Sequence, residues 1–404
     1  MSHQTVDLAD PPTAGRPGLV AAATGAAAVL REQAAGSDRA RRLTGPAFAA
    51  LEGSGMLRLM TPSRFGGHAT DLSTFLAACT ELGRGCCSAA WIAGVLGAGD
   101  FVVSLFPEQA QEEVWGDDPD AGSALVLGAP GRDVRAVEGG GAVVSGRWPY
   151  ASGSCHTQWV TVLVAVPAPS GPPVVHFALV PRREVTVEDT WTVVGMRGTG
   201  SNTVVMDGVV VPPHRLLPYH PVLAGDTDGL VDPGHRYRNS LTGVFSIGLI
   251  GALLGGAREA LDIVQSHGPT RRVAGSSYTR QTESPTFQLD LAEAAMAVDT
   301  ATLHARRLAE TVDTFAAAGE NPDLVTRARA RMDSTLVAHT CRGAVDTLLT
   351  AYGSAAFDEA HPLQRIWRDV NVGSRHAGFG MGIPEQIYGR ALVGEDPRRI
   401  SPLV

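Results

Sequence analysis

The chain has 404 residues, 44% of them hydrophobic, and a formal net charge of −8. That is enough apolar material for two or three domains, with no global positive field for nucleic acid or anionic lipid. All 33 basic residues are arginine, so a Walker-A nucleotide site and a pyridoxal-phosphate Schiff base, both of which need lysine, are excluded.

The opening stretch MSHQTVDLADPPTAGRPG has no basic segment leading into an apolar core, and no signal peptide is expected. From Gly18 to about Phe106, apolar residues recur at three- and four-residue spacing in LVAAATGAAAVL, PAFAALEGSGMLRLM and LSTFLAACTELGRG, the last running into SAAWIAGVLGAGDFVV. This predicts helices. The intervening TPSRFGGHAT (Thr61–Thr70) carries Pro and paired Gly and reads as a turn. From about Ala124 to Pro218 the period becomes two, in AVVSGRWPY, WVTVLVAVP, VVHFALVP, VTVEDTW and NTVVMDGVVVP. These predict strands of an antiparallel barrel or sandwich. A linker, Tyr219–Arg236, precedes a return of helical periodicity to about Arg375. Leu241 to Ala257 contains five glycines and falls short of the roughly 20 residues of a spanning helix, so it reads as a buried helix with close backbone neighbours. The order predicts an α+β fold in three parts: an α-helical domain over 18–122, a β-domain over 123–218 and a helical bundle over 236–404.

Five cysteines, Cys79, Cys86, Cys87, Cys155 and Cys341, show no metal-ligand spacing. Their odd number and scatter predict free thiols in a reducing cytosol. No GxGxxG follows a strand at the head of a βαβ unit, so dinucleotide binding of the Rossmann kind is not expected.

The stretch Ala351 to Gly394, AYGSAAFDEAHPLQRIWRDVNVGSRHAGFGMGIPEQIYGRALVG, leads a glycine-rich turn and aromatics into Arg368-Asp369. With Pro62…Gly66-Gly67, Trp191…Gly195-Met-Arg-Gly-Thr-Gly-Ser201 and Val211-Pro212-Pro213-His214-Arg215, it resembles the acyl-CoA dehydrogenase superfamily over nearly the whole chain. The resemblance implies an N-terminal helical domain, a middle β-barrel domain, a C-terminal four-helix bundle and a flavin. Acyl-CoA dehydrogenases usually follow the Arg-Asp pair with Tyr-Glu-Gly, whose Glu removes a proton α to a thioester carbonyl. Here the aligned positions are His376, Ala377 and Gly378. That exchange, with the YGR ending at Arg390, resembles the flavin-dependent two-component monooxygenase branch.

The same resemblance implies site residues. In SGRWPYASGSCHTQW (Ser145–Trp159) it places Tyr150 near the isoalloxazine and Ser152 near its N5, where a hydroxyl can donate or accept. Leu127, Gly128 and Ala129 would touch the flavin with backbone groups, and small residues permit that approach. His376 would lie beside the reactive edge, an imidazole of ordinary pKa near 6.5 able to donate a hydrogen bond or relay a proton. Trp91 would line the substrate side. Phenol hydroxylases of this branch often carry a histidine nearby; Gly97, Ala98 and Gly99 stand here instead, so a phenolic acceptor needs another partner such as His235 or Arg271. In GPTRRV (Gly268–Val273), Arg272 is the candidate for a flavin phosphate. The usual Arg-x-x-Phe-Gly is absent, which leaves FMN and FAD both open. Arg368 and Asp369 are expected to pair with each other, and His156 and Trp159 to pack.

The implied activity is that of the oxygenase component of a two-component monooxygenase. A separate NAD(P)H:flavin reductase would supply reduced flavin, and O₂ would form a C4a-hydroperoxide held by Ser152 and His376. Its oxygen would pass to an aromatic or heteroaromatic small molecule of natural-product type. The nearest alternative is an amino-sugar N-oxygenase of the same branch. A more distant one is an acyl-CoA dehydrogenase or nitroalkane oxidase with its carboxylate relocated, for which Glu385 is the available group. A cytosolic homotetramer is expected, with neither nucleic acid nor membrane as partner.

Overall fold

The computed structural model describes residues 16–131, 133–225 and 241–404. Among the described residues five helices come first: α1 (Pro17–Ala40), α2 (Gly45–Gly53), α3 (Leu72–Gly85), α4 (Cys87–Val103) and α5 (Glu108–Trp115). Thr44 and Asp71 start α2 and α3 by accepting amide hydrogens three residues on, satisfying donors that a helix start leaves unpaired. Every residue of α4 is buried, as befits a helix apolar on all sides.

After the strands come α6 (Tyr219–Ala224), α7 (Leu241–His267), α8 (Pro285–Ala318), α9 (Leu324–Tyr352), α10 (Pro362–Gly373) and α11 (Ile383–Leu392). The segment read as a linker thus opens with a short helix. By length and composition α7 could cross a membrane, yet 78% of its apolar window is buried inside the protein. It is the central core helix, packed on α3, α4, α8, α9 and α10. A Cβ added to Gly248 would lie 2.5 Å from Cα of Gly94, so α4 and α7 cross backbone to backbone. Trp91 of α4 and Phe245 of α7 both meet one further ring, that of His376.

Among the described residues there are eight strands, β1 (Ser123–Gly131), β2 (Asp133–Ala136), β3 (Ala142–Ala151), β4 (Trp159–Val166), β5 (Val174–Pro181), β6 (Thr186–Glu188), β7 (Asn202–Val211) and β8 (Leu216–Pro218). They form two four-stranded sheets, ordered β1-β4-β5-β8 and β2-β3-β7-β6. Alternate residues such as Val144, Trp148, Val162, Val164, Val204 and Met206 fill a second core between them. Trp148 donates Nε1–H to the Leu163 carbonyl at 3.0 Å and ties one sheet to the other. One expectation needs correcting: β1 and β4 pair in parallel. Period-two alternation reports which face is buried and carries no information on a neighbour's direction.

Candidate active site

α10 ends at Gly373, and the chain turns so that the His376 amide donates to the Gly373 carbonyl at 3.0 Å. The turn delivers the imidazole among three rings: Trp91 at 5.6 Å between centroids, Phe245 at 5.7 Å and Phe379 at 5.8 Å. The Gly378 amide donates to Nδ1 at 3.1 Å, which assigns the ring's proton to Nε2. Among the described residues Nε2 has no protein partner. Burial among the rings pushes the His376 pKa down to about 4, and among the described residues no charged side chain contributes. The expectation of an imidazole titrating near neutrality is therefore corrected. His376 is neutral at pH 7 and presents one fixed N–H in apolar surroundings.

The second cluster hangs on the end of β3. Between Trp148 and Ala151 the β3–β7 register shifts, and Tyr150 takes the left-handed region at φ 66. A bulge of this kind re-aims side chains and is common beside active sites. Tyr150 is 70% exposed and meets the Trp191 ring edge-on at 6.0 Å. Ser152 follows, buried, with its hydroxyl 2.6 Å from that of Ser201. Ser201 lies 2.6 Å from the Thr199 hydroxyl, which donates to the Met196 carbonyl at 2.8 Å. The Gly153 amide donates to the Thr199 carbonyl at 3.0 Å, pinning one turn to the other. Trp191 Nε1–H also donates to the Met196 carbonyl, at 2.9 Å.

Arg368 and Asp369 hold this turn from behind, but not as a pair. Arg368 forms a bidentate ion pair with Asp38 of α1 at 3.0 and 3.1 Å. Asp369 accepts the Met196 amide hydrogen at 2.6 Å. Consecutive helical residues point about 100° apart, so the two side chains serve different neighbours. Gly195 lies hard against them: a Cβ there would sit 2.1 Å from the Arg368 carbonyl oxygen.

The remaining candidates fall in several places. Leu127 is partly buried on β1, and Gly128 and Ala129 are exposed on its outer half. A Cβ at Gly97 would meet the Phe75 ring at 2.6 Å, and one at Gly99 the Ser123 carbonyl at 2.1 Å. These are packing glycines, with no room for a histidine. Arg271 lies over the Tyr352 ring at 3.9 Å and donates to the Tyr352 carbonyl, whereas Arg272 is exposed. His156 stacks on Phe48 and Trp159 lies under Arg215. Glu385 is exposed at the start of α11. His235 lies outside the described residues. Sequence reasoning missed Phe245, Phe379, Thr199 and Ser201; the last two were legible as the hydroxyls of the GMRGTGS turn.

The exposed Tyr150 ring, the hydroxyl of Ser152 and the apolar cage around a neutral N–H suit a planar amphipathic group such as isoalloxazine. Comparison with known proteins agrees. Family models for the acyl-CoA dehydrogenase N-terminal and C-terminal domains match residues 21–116 and 247–380. The chain is 33% identical over 403 residues to the FADH(2)-dependent resorcinol hydroxylase, oxygenase component, of Rhizobium sp. (strain MTP-10005), covering 94% of this chain and 95% of that protein. It is 33% identical to the flavin-dependent monooxygenase, oxygenase subunit HsaA, of Rhodococcus jostii (strain RHA1), over 91% of this chain and 95% of the other. Among solved structures, XiaF from Streptomyces sp. in complex with FADH2 and glycerol superposes with a TM-score of 0.88 at 33% identity, covering 94% and 96% of the two chains. The chain belongs to the acyl-CoA dehydrogenase superfamily, in its branch of flavin-dependent monooxygenase oxygenase components.

Proposed function

We propose that this protein hydroxylates an aromatic or heteroaromatic small molecule, using reduced flavin delivered by a separate NAD(P)H:flavin reductase. The observation that carries the reading is His376: a neutral imidazole in a cage of three aromatic rings stands beside Ala377, the position where a proton-abstracting carboxylate would otherwise be. Bound reduced flavin supplies the two electrons with which O₂ is split, one atom entering the ring and the other leaving as water.

The chain's own groups do the rest. Trp91, Phe245 and Phe379 enclose the imidazole and keep water from it. His376 orients by donation from Nε2. Taking a second proton would cost the ring its bond from the Gly378 amide, so it does not serve as a base at neutral pH. Ser152, held by Ser201, would face the flavin N5, with Tyr150 beside the ring system and Leu127, Gly128 and Ala129 offering backbone contacts. Arg271, already ordered against Tyr352, is better prepared than Arg272 to meet a flavin phosphate.

The named relatives act on aromatic rings, as in resorcinol hydroxylase and p-hydroxyphenylacetate 3-hydroxylase, which favours ring hydroxylation over amino-sugar N-oxygenation. Self-association, with a homotetramer as the expected form, is supported by an apolar stripe on α8 that is exposed among the described residues: Leu289, Met296 and Leu303, seven residues apart, are 71%, 63% and 58% exposed. A cytosolic setting fits the free cysteines, four of them buried. The division into parts over 18–122, 123–218 and 236–404 follows the change from helix to strand and back. The direct test loads the protein with reduced FAD or FMN and gives an O₂ pulse with a phenol, an indole or an amino sugar. A hydroxylated ring is the expected product; oxidation of the amine alone would replace this reading.

A further inference from the structure

We infer that Thr199 and Ser201 are positioning residues that fix the polarity of the Ser152 hydroxyl, so that it donates to Ser201 and offers only lone pairs toward the flavin. The inference rests on the reading that the Ser152 turn faces the flavin N5. Each hydroxyl has one proton, and the chain of contacts leaves one way to distribute them. The Met196 carbonyl can only accept, so the Thr199 hydroxyl at 2.8 Å spends its proton there. At the 2.6 Å contact between Thr199 and Ser201, Ser201 is then the donor. At the 2.6 Å contact between Ser201 and Ser152, the donor is Ser152. All three hydroxyls are buried, with exposures of 1%, 5% and 7%, so bulk water does not offer each proton an equivalent alternative.

The anchor of this relay is stiff. Met196 occupies the left-handed region at φ 53, with its amide held by Asp369 and its carbonyl by Trp191. Non-glycine residues hold such a conformation only where the surroundings over-determine it. Ser152 is left with lone pairs alone to present to whatever lies in front of it.

An acceptor-only hydroxyl discriminates between flavin oxidation states. Reduced flavin carries a hydrogen on N5 and can donate to Ser152. Oxidised flavin has a bare N5 lone pair there, and two acceptors face each other. The relay therefore favours the reduced cofactor over the spent one, which is the order a protein receiving flavin from a separate reductase needs.

The test is equilibrium binding of reduced flavin, measured anaerobically, and of oxidised flavin, to the full-length protein and to Ser152→Ala, Ser201→Ala, Thr199→Val and Thr199→Ser. The readout is the ratio of the two dissociation constants. Ser201→Ala and Thr199→Val free the Ser152 hydroxyl to rotate and donate, and each should shift the ratio toward oxidised flavin by roughly tenfold, the worth of one hydrogen bond. Thr199→Ser keeps the hydroxyl and should keep the wild-type ratio. A ratio unmoved by Ser201→Ala and Thr199→Val, while Ser152→Ala moves it, overturns the relay and leaves the flavin placement standing. Ser152→Ala leaving both affinities at their wild-type values overturns the flavin placement and the relay together.

Discussion

The Asp369 carboxylate accepts the Met196 amide hydrogen at 2.6 Å, and it does so fully buried. Burial is the main reason its pKa rises to about 7; the nearby Asp38 pushes the same way, while the Met196 bond and the Arg368 and Arg365 charges pull down. One buried acid thus anchors the turn that carries Thr199 and Ser201.

The linkage has a definite sign. A carboxyl that keeps its proton in the folded state while the unfolded chain has lost it stabilises most at low pH. That contribution falls as pH rises from about 4 to about 7, by at most about 1.4 kcal/mol per pH unit. Asp369→Asn retains an oxygen to accept from Met196 and removes the titration. Its unfolding free energy, measured by denaturant titration across this range, should decline less steeply with pH than that of the wild type. Parallel slopes for the two proteins would refute the assignment.

His376 has the opposite sign. Its ring is held neutral down to about pH 4, so the folded state binds fewer protons than the unfolded one, and acidification from about pH 6.5 to about pH 4 costs stability. Above that window its charge does not change. Product yield per reduced flavin should therefore stay flat between about pH 5.5 and about pH 8 as far as this residue is concerned. His376→Ala should lower that yield about tenfold, the loss of one hydrogen-bond donor. An inflection near pH 6.5 that disappears in the variant would contradict the neutral-donor role.

Two glycine substitutions should move stability in opposite directions. Gly248→Ala forces a Cβ to within 2.5 Å of the Gly94 backbone, and the strain of separating α4 from α7 should cost about 1–3 kcal/mol. Gly343 sits exposed within α9, with nothing within 4 Å of an added Cβ. Gly343→Ala should stabilise by about 0.5–1 kcal/mol through helix propensity. Thermal melting of both variants checks the pair.

The α8 stripe predicts assembly. Replacing Leu289, Met296 and Leu303 together by Ser should shift the sedimentation profile toward smaller species while the monomer stays folded by circular dichroism. An unchanged oligomer would place the subunit interface elsewhere.

Much of this architecture was legible in the sequence, because helical and strand periodicities record burial and burial is what the fold satisfies first. Leu241–Ala257, with its five glycines, showed a buried helix with close backbone neighbours, and Gly248 against Gly94 is that contact. What sequence could not carry was pairing between distant segments. Arg368 and Asp369 looked like a couple because they are adjacent, but their partners, Asp38 and Met196, lie 330 and 173 residues away. The His376 environment was hidden for the same reason. Its pKa is set by rings from α4, α7 and the turn after α10, and no local motif records them. The absence of a histidine near Gly97 says nothing about the substrate, because that position faces Phe75.

The most direct measurement is a single turnover with isotopically labelled O₂, given to the reduced-flavin complex in the presence of an aromatic substrate. One labelled atom should appear in a ring hydroxyl and the other in water. Label confined to hydrogen peroxide with every aromatic offered, together with bleaching of the oxidised flavin by an acyl-CoA under anaerobic conditions, would contradict the account and return the protein to dehydrogenase chemistry.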